Sequence, residues 1–243
     1  MIDEEKFKDL IGSVIGQDDK VIVLYSGLWT FVDKLEFKIN NVSQIPYKIL
    51  GFFEDKIGKD KLLLLPSFSG KEFRKNKIFD IKNSLDRENG VLSKAALKKG
   101  YFRTKQPIHS YLAFGDTSKL KKEKFTSSWG ENSLLEFFSK NDARICNLGL
   151  PWNKGCSYLH KFEENFKVPW RYHKKFSAKI IKNNRIIGNC SEIKYCSPNQ
   201  VELKYDYYPF IKYIQNAKSF KKAKNKSIKI ESIKTSCLDK IGK

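Results

Sequence analysis

A chain of 243 residues fits one large domain, at ~150 residues per domain, and can bury a core without disulfides or metals. Hydrophobic residues make up 40% and charged residues 30%, which excludes an intrinsically disordered chain. Against 27 Asp and Glu stand 47 Lys and Arg, and the net charge of +20 argues against polycationic ligands and for anionic ones.

The first ten residues, MIDEEKFKDL, are acidic and amphipathic, without the basic and apolar segments of a secretory leader. No run of ~18 apolar residues occurs, so no membrane partner is expected. Residues 3–14 read as a helix with Phe7, Leu10, Ile11 and Val14 on one stripe, a face that could pack on a second copy to make a homodimer. Val21 to Ser26 and Leu62 to Ser67 are short apolar runs, typical of strands covered on both faces. Between them, residues 43–57 look helical, interrupted early by Pro46. Phe68 to Asn89 is polar and reads as a long functional loop. Leu92 to Lys98, Asn132 to Phe138 and Ser157 to Phe166 follow as helices; Ser110 to Phe114 and Ala143 to Leu148 follow as strands.

After Pro169 the pattern alternates apolar and polar residues around Asn183-Asn184, the signal of a hairpin with a type I′ turn. A helix near Tyr207 to Ala217, the basic stretch KSFKKAKNK and a strand-like SIKIESI close the chain. Alone, that Lys run reads as a solvated tail or a nonspecific nucleic-acid footprint. The expectation is α/β: one domain over 1–243 with a soft boundary near 169, where 170–243 adds an antiparallel subdomain and C-terminal elements.

Cys146, Cys156, Cys190, Cys196 and Cys237 are scattered, with no CxxC pair, so no metal is expected and the thiols suit a reducing cytoplasm. Three histidines limit the choice of a general base. His160 has Glu163 three residues on, on one helix face, where a carboxylate can hold the imidazole tautomer. The same spacing also occurs in ordinary surface ion pairs. Cys156, four residues before His160, reads as an inert buried thiol. His109 and Ser110 point to opposite faces of a strand and make a poor dyad, and His173 shows no partner. Two short loops follow buried strands, Ser26 to Phe31 and Pro66 to Gly70, and small residues there let backbone N–H groups approach an anion or a thioester.

In order, these motifs resemble the aminoglycoside 3-N-acetyltransferase family, the antibiotic N-acetyltransferases. The resemblance rests on Ser26-Gly27-Leu28, Pro66-Ser67-Phe68-Ser69, Phe79-Asp80, Gly90-Val91-Leu92 and Arg103 through Ser110. It continues through Trp129 to Ser133, Asn147-Leu148-Gly149 and Ser157 to Glu163. Departures are Gln106 for the family's His before Pro107, Gly27 for a Ser and Trp129 for a Phe or Tyr. The resemblance implies αβα layers around a central mixed sheet, with a small antiparallel subdomain, distinct from the GNAT fold. It implies an acetyl-CoA-dependent N-acetyltransferase working by direct transfer. His160 becomes the general base, Glu163 its orienting partner and Ser157 a hydroxyl in the catalytic group. Ser26, Gly27, Leu28, Ser67, Phe68, Ser69 and Ser110 would hold acetyl-CoA, with backbone N–H groups of the Ser67–Ser69 or Ser26–Leu28 loop on the oxyanion. Asp80, Gln106 and His109 would meet the acceptor.

The positive charge favours an anionic acceptor, a nucleotide-linked amino sugar for surface polysaccharide such as O-antigen. An aminoglycoside is the alternative acceptor. Outside that enzyme class stand a basic nucleic-acid-binding protein, which lacks any recognisable binding motif here, and a non-catalytic CoA-binding module.

Overall fold

The computed structural model describes residues 1–70, 73, 77–86, 89–198, 204–226 and 228–241. In chain order the elements are α1 (Glu4–Val14), β1 (Val21–Ser26), α2 (Ile45–Ile57), β2 (Leu62–Pro66), β3 (Ile78–Asp80), α3 (Val91–Lys98), β4 (Phe102–Arg103) and β5 (Tyr111–Gly115). Then follow α4 (Ser118–Lys122), α5 (Leu134–Lys140), β6 (Arg144–Leu148), α6 (Leu159–Asn165), β7 (Tyr172–Lys182) and β8 (Arg185–Cys196). The last are α7 (Tyr208–Asn216), β9 (Lys221–Asn225), β10 (Ile228–Lys234) and α8 (Thr235–Leu238).

Seven strands form a mixed central sheet in the order β4-β5-β2-β1-β6-β10-β9. β1 runs parallel to both β2 and β6, and the outer pairings are antiparallel. Alternation along β1 sends Ile22 and Leu24 to one face and Val21, Val23 and Tyr25 to the other. The first face buries the stripe of α1 (Phe7, Leu10, Ile11, Val14) together with α2 and α3. The second face buries Leu134, Leu135, Phe137 and Phe138 of α5, Phe162 of α6 and Ile214 of α7. Apolar runs covered on both sides are the reason β1 and β2 read as continuous hydrophobic segments.

A second sheet, β3-β7-β8, packs beside the first around Phe73, Phe79, Ile108, Ala178 and Ile180. Its hairpin turns at Asn183 and Asn184, with φ of 51° and 60°, the left-handed pair a type I′ turn requires. The sheet is not purely antiparallel, because β3 pairs parallel to β7. That strand also corrects the loop expected over 68–89: Phe79 is fully buried, and one apolar residue in a three-residue strand carries too little periodicity to be seen. Pro46 opens α2 from its first turn instead of interrupting it, since proline gives up no helical hydrogen bond there. KSFKKAKNK is not a tail: its core is β9, paired with β10 across Lys221↔Ser232 to Asn225↔Ile228.

The strand order reverses at β1, whose neighbours β2 and β6 are both parallel to it. Ligands of such sheets bind outside the carboxyl ends of the strands at that reversal. The Ser26–Leu28, Pro66–Ser69 and 149–157 loops leave the sheet at that edge. Gly149 is required there: its φ is +68°, and a Cβ would stand 2.6 Å from Thr30 Oγ1.

Candidate active site

His160 sits in the first turn of α6 and Glu163 one turn on, and Nδ1 lies 2.5 Å from Glu163 Oε2. A carboxylate on Nδ1 requires the proton there in the neutral ring, which leaves the lone pair on Nε2. Nε2 makes no hydrogen bond to the described residues. The imidazole lies flat on Trp129, ring centroids 4.2 Å apart and 17° from parallel. Glu163 is held from its other side by Tyr205, whose hydroxyl donates to Oε1 at 2.7 Å, and by Arg171 at 3.1 Å. Burial alone would raise this carboxyl, but the hydrogen bonds from His160 and Tyr205 and the charges of His160 and Arg171 bring it down to about 2. The Arg171 guanidinium also lies 4.9 Å from the Trp129 ring.

Ser157, just before α6, stands beside Tyr25 and Tyr111, whose hydroxyls are 2.9 Å apart. Burial pushes Tyr25 up to about 12, so this network stays neutral. Ser157, His160 and Glu163 line one cavity of about 370 Å³ with Phe162, Val168, Tyr205 and Phe210. Its other charged residues are Lys154 and Asp206. Cys156 lines it too, but burial pushes its thiol up to about 12, which removes the thiolate a nucleophile needs.

The Ser67–Ser69 loop differs from its expected role. Ser67 N–H donates to Ser110 O at 2.9 Å, Phe68 N–H to Asn89 Oδ1 at 2.8 Å and Ser69 N–H to Ile108 O at 3.1 Å. Gly27 N–H donates to Leu148 O at 2.9 Å. Donors already spent within the fold cannot also meet an oxyanion, so the expectation fails for these four groups. The hydroxyls of Ser67 and Ser110 are 3.1 Å apart, and Arg103 ties the same point through Nη2 to Ser67 O and Nε to Ser110 Oγ. Phe68 alone of this segment turns its ring toward the histidines, edge-on to His109 at 5.2 Å. Ser26 and Leu28 lie at the carboxyl end of β1, and a Cβ on Gly90 would stand 3.2 Å from Ser26 O.

Of the residues assigned to the acceptor, His109 comes to the same place as His160, with its ring edge-on to Trp129 at 5.7 Å. Its partner is Glu192, not Ser110: Nδ1 lies 2.9 Å from Glu192 Oε1. Gln106 is buried and donates to Ser127 O at 2.9 Å. The Asp80 carboxylate accepts from Lys82 N, Asn83 N and Asn83 Nδ2, closing its own turn. His173 does have a partner, Glu164, whose Oε1 is 2.5 Å from Nε2. Tyr205 and Glu192 carry no sequence signal because each reaches the site from a distant element, and Arg171 carries none because it comes from the irregular loop after α6. Trp129 stood within a quoted motif, but its motif gives it no chemistry.

Lysines collect elsewhere. Two clefts of about 740 and 1070 Å³ meet at Phe102 and Lys105; Lys121, Lys124 and Lys175 line one, and Lys82, Lys94, Lys98 and Lys182 the other. This donor set suits phosphates. Among the described residues no group of three His, Cys, Asp or Glu side chains could hold a metal, and no helix is long and apolar enough to cross a membrane.

The fold and the match to known proteins define an N-acetyltransferase. Residues 37–235 match the family described as aminoglycoside 3-N-acetyltransferase, and the chain belongs to that family, an acetyl-CoA-dependent one. Its fold is similar to that of the aminoglycoside acetyltransferase AAC(3)-IIb, with 17% identity, a TM-score of 0.75, and coverage of 100% of this chain and 95% of that one. AAC-VIa bound to sisomicin is 11% identical with a TM-score of 0.75, over 99% and 96% of the two chains. AAC-IIIb in a binary complex with CoASH is 16% identical with a TM-score of 0.73, over 99% and 94%. No curated protein matches the chain in sequence.

Proposed function

We propose that this protein acetylates an amine of an aminoglycoside, with acetyl-CoA as donor and His160 as general base. The observation that carries the reading is the His160–Glu163 pair: Nδ1 tied to a carboxylate, Nε2 without a partner among the described residues, at the wall of a cavity. As a neutral amine attacks a thioester its nitrogen becomes cationic, so a proton must leave the nitrogen as the N–C bond forms. His160 Nε2 takes it, and Glu163 stabilises the imidazolium that forms. Ser157 lines the same cavity and orients the reacting acyl group. Holding both substrates at one wall contributes much of the rate.

Local charge favours an aminoglycoside over the anionic acceptor suggested by the +20 total. The cavity beside His160 carries Glu163 and Asp206 against one lysine, whereas the lysine-lined clefts lie around Phe102. Those clefts suit the phosphates of the donor, which supports acetyl-CoA and accounts for part of the positive charge. A nucleotide-linked amino sugar remains the second reading, favoured by the net charge itself.

Loss of thioester absorbance from acetyl-CoA tests this without interference from the five free cysteines. Turnover with sisomicin, abolished in His160→Ala, supports the proposal. Turnover only with a nucleotide-linked amino sugar transfers the activity to the second reading. Turnover that survives His160→Ala removes the base.

A further inference from the structure

Transfer to an amine involves two protons, and His160 accounts for one. An aliphatic amine arrives as R–NH3⁺ and ends as R–NH–CO–CH3. One proton must go before the lone pair can attack, and a second goes as the N–C bond forms and the C–S bond breaks. The second can pass through His160 to the sulfur, so that CoA leaves as a thiol. The first needs another acceptor.

A second histidine with the same construction stands across Trp129. His109 Nδ1 lies 2.9 Å from Glu192 Oε1 and 3.0 Å from Ser128 Oγ, and Ser128 Oγ donates to Glu192 Oε1 at 2.6 Å. Glu192 Oε2 accepts from Ile108 N at 2.7 Å and His109 N at 3.2 Å. Glu192 is 0% exposed, and a carboxylate buried that deeply is costly unless fully hydrogen-bonded, as this one is. Its presence fixes the proton on His109 Nδ1 and leaves the lone pair on Nε2, which makes no hydrogen bond to the described residues. The ring is wedged between Phe68 and Trp129, the side chain on which His160 lies flat. About 14% of the His109 side chain reaches solvent.

We propose that His109 Nε2, oriented by Glu192 and Ser128, takes the first proton from the incoming ammonium and returns it to solvent, so that His160 meets a neutral amine. The charged groups that act on His109 are Glu192, which favours the imidazolium, and Lys194 and His160, which with burial oppose it. Burial outweighs Glu192 and holds the ring below the ordinary imidazole value, so it is neutral at rest and gives up readily any proton it takes. The inference rests on the His160 reading given above.

The test is kcat/KM for acetyl-CoA and sisomicin from pH 6 to 10 in wild type, His109→Gln, Glu192→Gln and His160→Ala. The expected loss in His109→Gln is ~10–100-fold below the amine's own pKa, shrinking toward wild type above it, where the amine arrives neutral. Glu192→Gln shows the same pH-dependent loss in smaller degree. His160→Ala is not rescued at any pH. A loss in His109→Gln that is equal at all pH values assigns the residue to structure alone and overturns the proposal, as does no loss. Wild-type turnover that ignores His160→Ala overturns the parent reading, and this one with it. Independently of activity, 15N NMR of the His109 ring must show the Nδ1–H tautomer; an Nε2–H tautomer overturns the proposal even if the variants fail to fold.

Discussion

His160 meets Glu163 one turn further along the same helix, whereas His109 meets Glu192 across 83 residues of chain and between the two sheets. The first pair is part-exposed: the His160 side chain is 38% accessible and Glu163 13%. In the second, His109 is 14% accessible and Glu192 not at all. The helix supplies the first geometry automatically from i,i+3 spacing. The second exists only once β8 has docked beside the loop that enters β5. A local pair is cheap to build and weakly tied to the fold. A long-range buried pair is both a chemical group and a structural joint, since Glu192 holds the backbone of Ile108 and His109 as well as two side chains.

Substitutions break this comparison in a definite order. His160→Ala is expected to lower kcat by ~10²–10⁴ and leave the folded state nearly intact. Steady-state kinetics beside a thermal melt measure both, and a large fall in melting temperature with kcat retained would reverse the roles of the two pairs. Glu192→Ala leaves four buried donors without their acceptor, and chemical denaturation is expected to show a loss of ~3–5 kcal/mol. A loss no larger than that of Glu163→Ala would mean that the small sheet is not braced there.

Acid sharpens the contrast further. The folded pKa of Glu163 is about 2, below its ordinary 4.5, so its stabilising contribution is complete above ~4.5 and disappears as pH falls toward 2. That window carries on the order of 3 kcal/mol. Unfolding free energies from pH 6 to 2 in wild type and Glu163→Gln measure it, and identical slopes would show that the pair is not formed. Smallest is Ser128→Ala, which removes one of the hydrogen bonds to Glu192 and is expected to cost ~1 kcal/mol by the same denaturation.

What could be read from sequence follows the same division. α1, β1, β2 and the Asn183-Asn184 hairpin were legible because each is specified within a dozen residues, by a 3.6-residue stripe, an apolar run or a turn that needs left-handed φ. His160–Glu163 was legible for that reason, with the motif order giving the pair its chemical meaning. β3 was lost in a polar stretch, since its parallel partner lies a hundred residues away. The Ser67–Ser69 loop was legible as a loop but not in its use, because only the fold shows where its N–H groups go. The sum of charges says least about the site: a net value carries no position, and the cavity beside His160 does not share it.

The central sheet ends on one side in β9, where Lys221, Lys222 and Lys224 fall within five residues. An edge strand offers its unpaired backbone groups to any other strand that approaches. Here a second copy would bring the same lysines to the same place, and like charges at strand spacing repel. The opposite edge, β4, is two residues long and gives an incoming strand almost nothing to pair with. One edge is guarded by charge and the other by brevity, which disfavours edge-to-edge growth of this sheet.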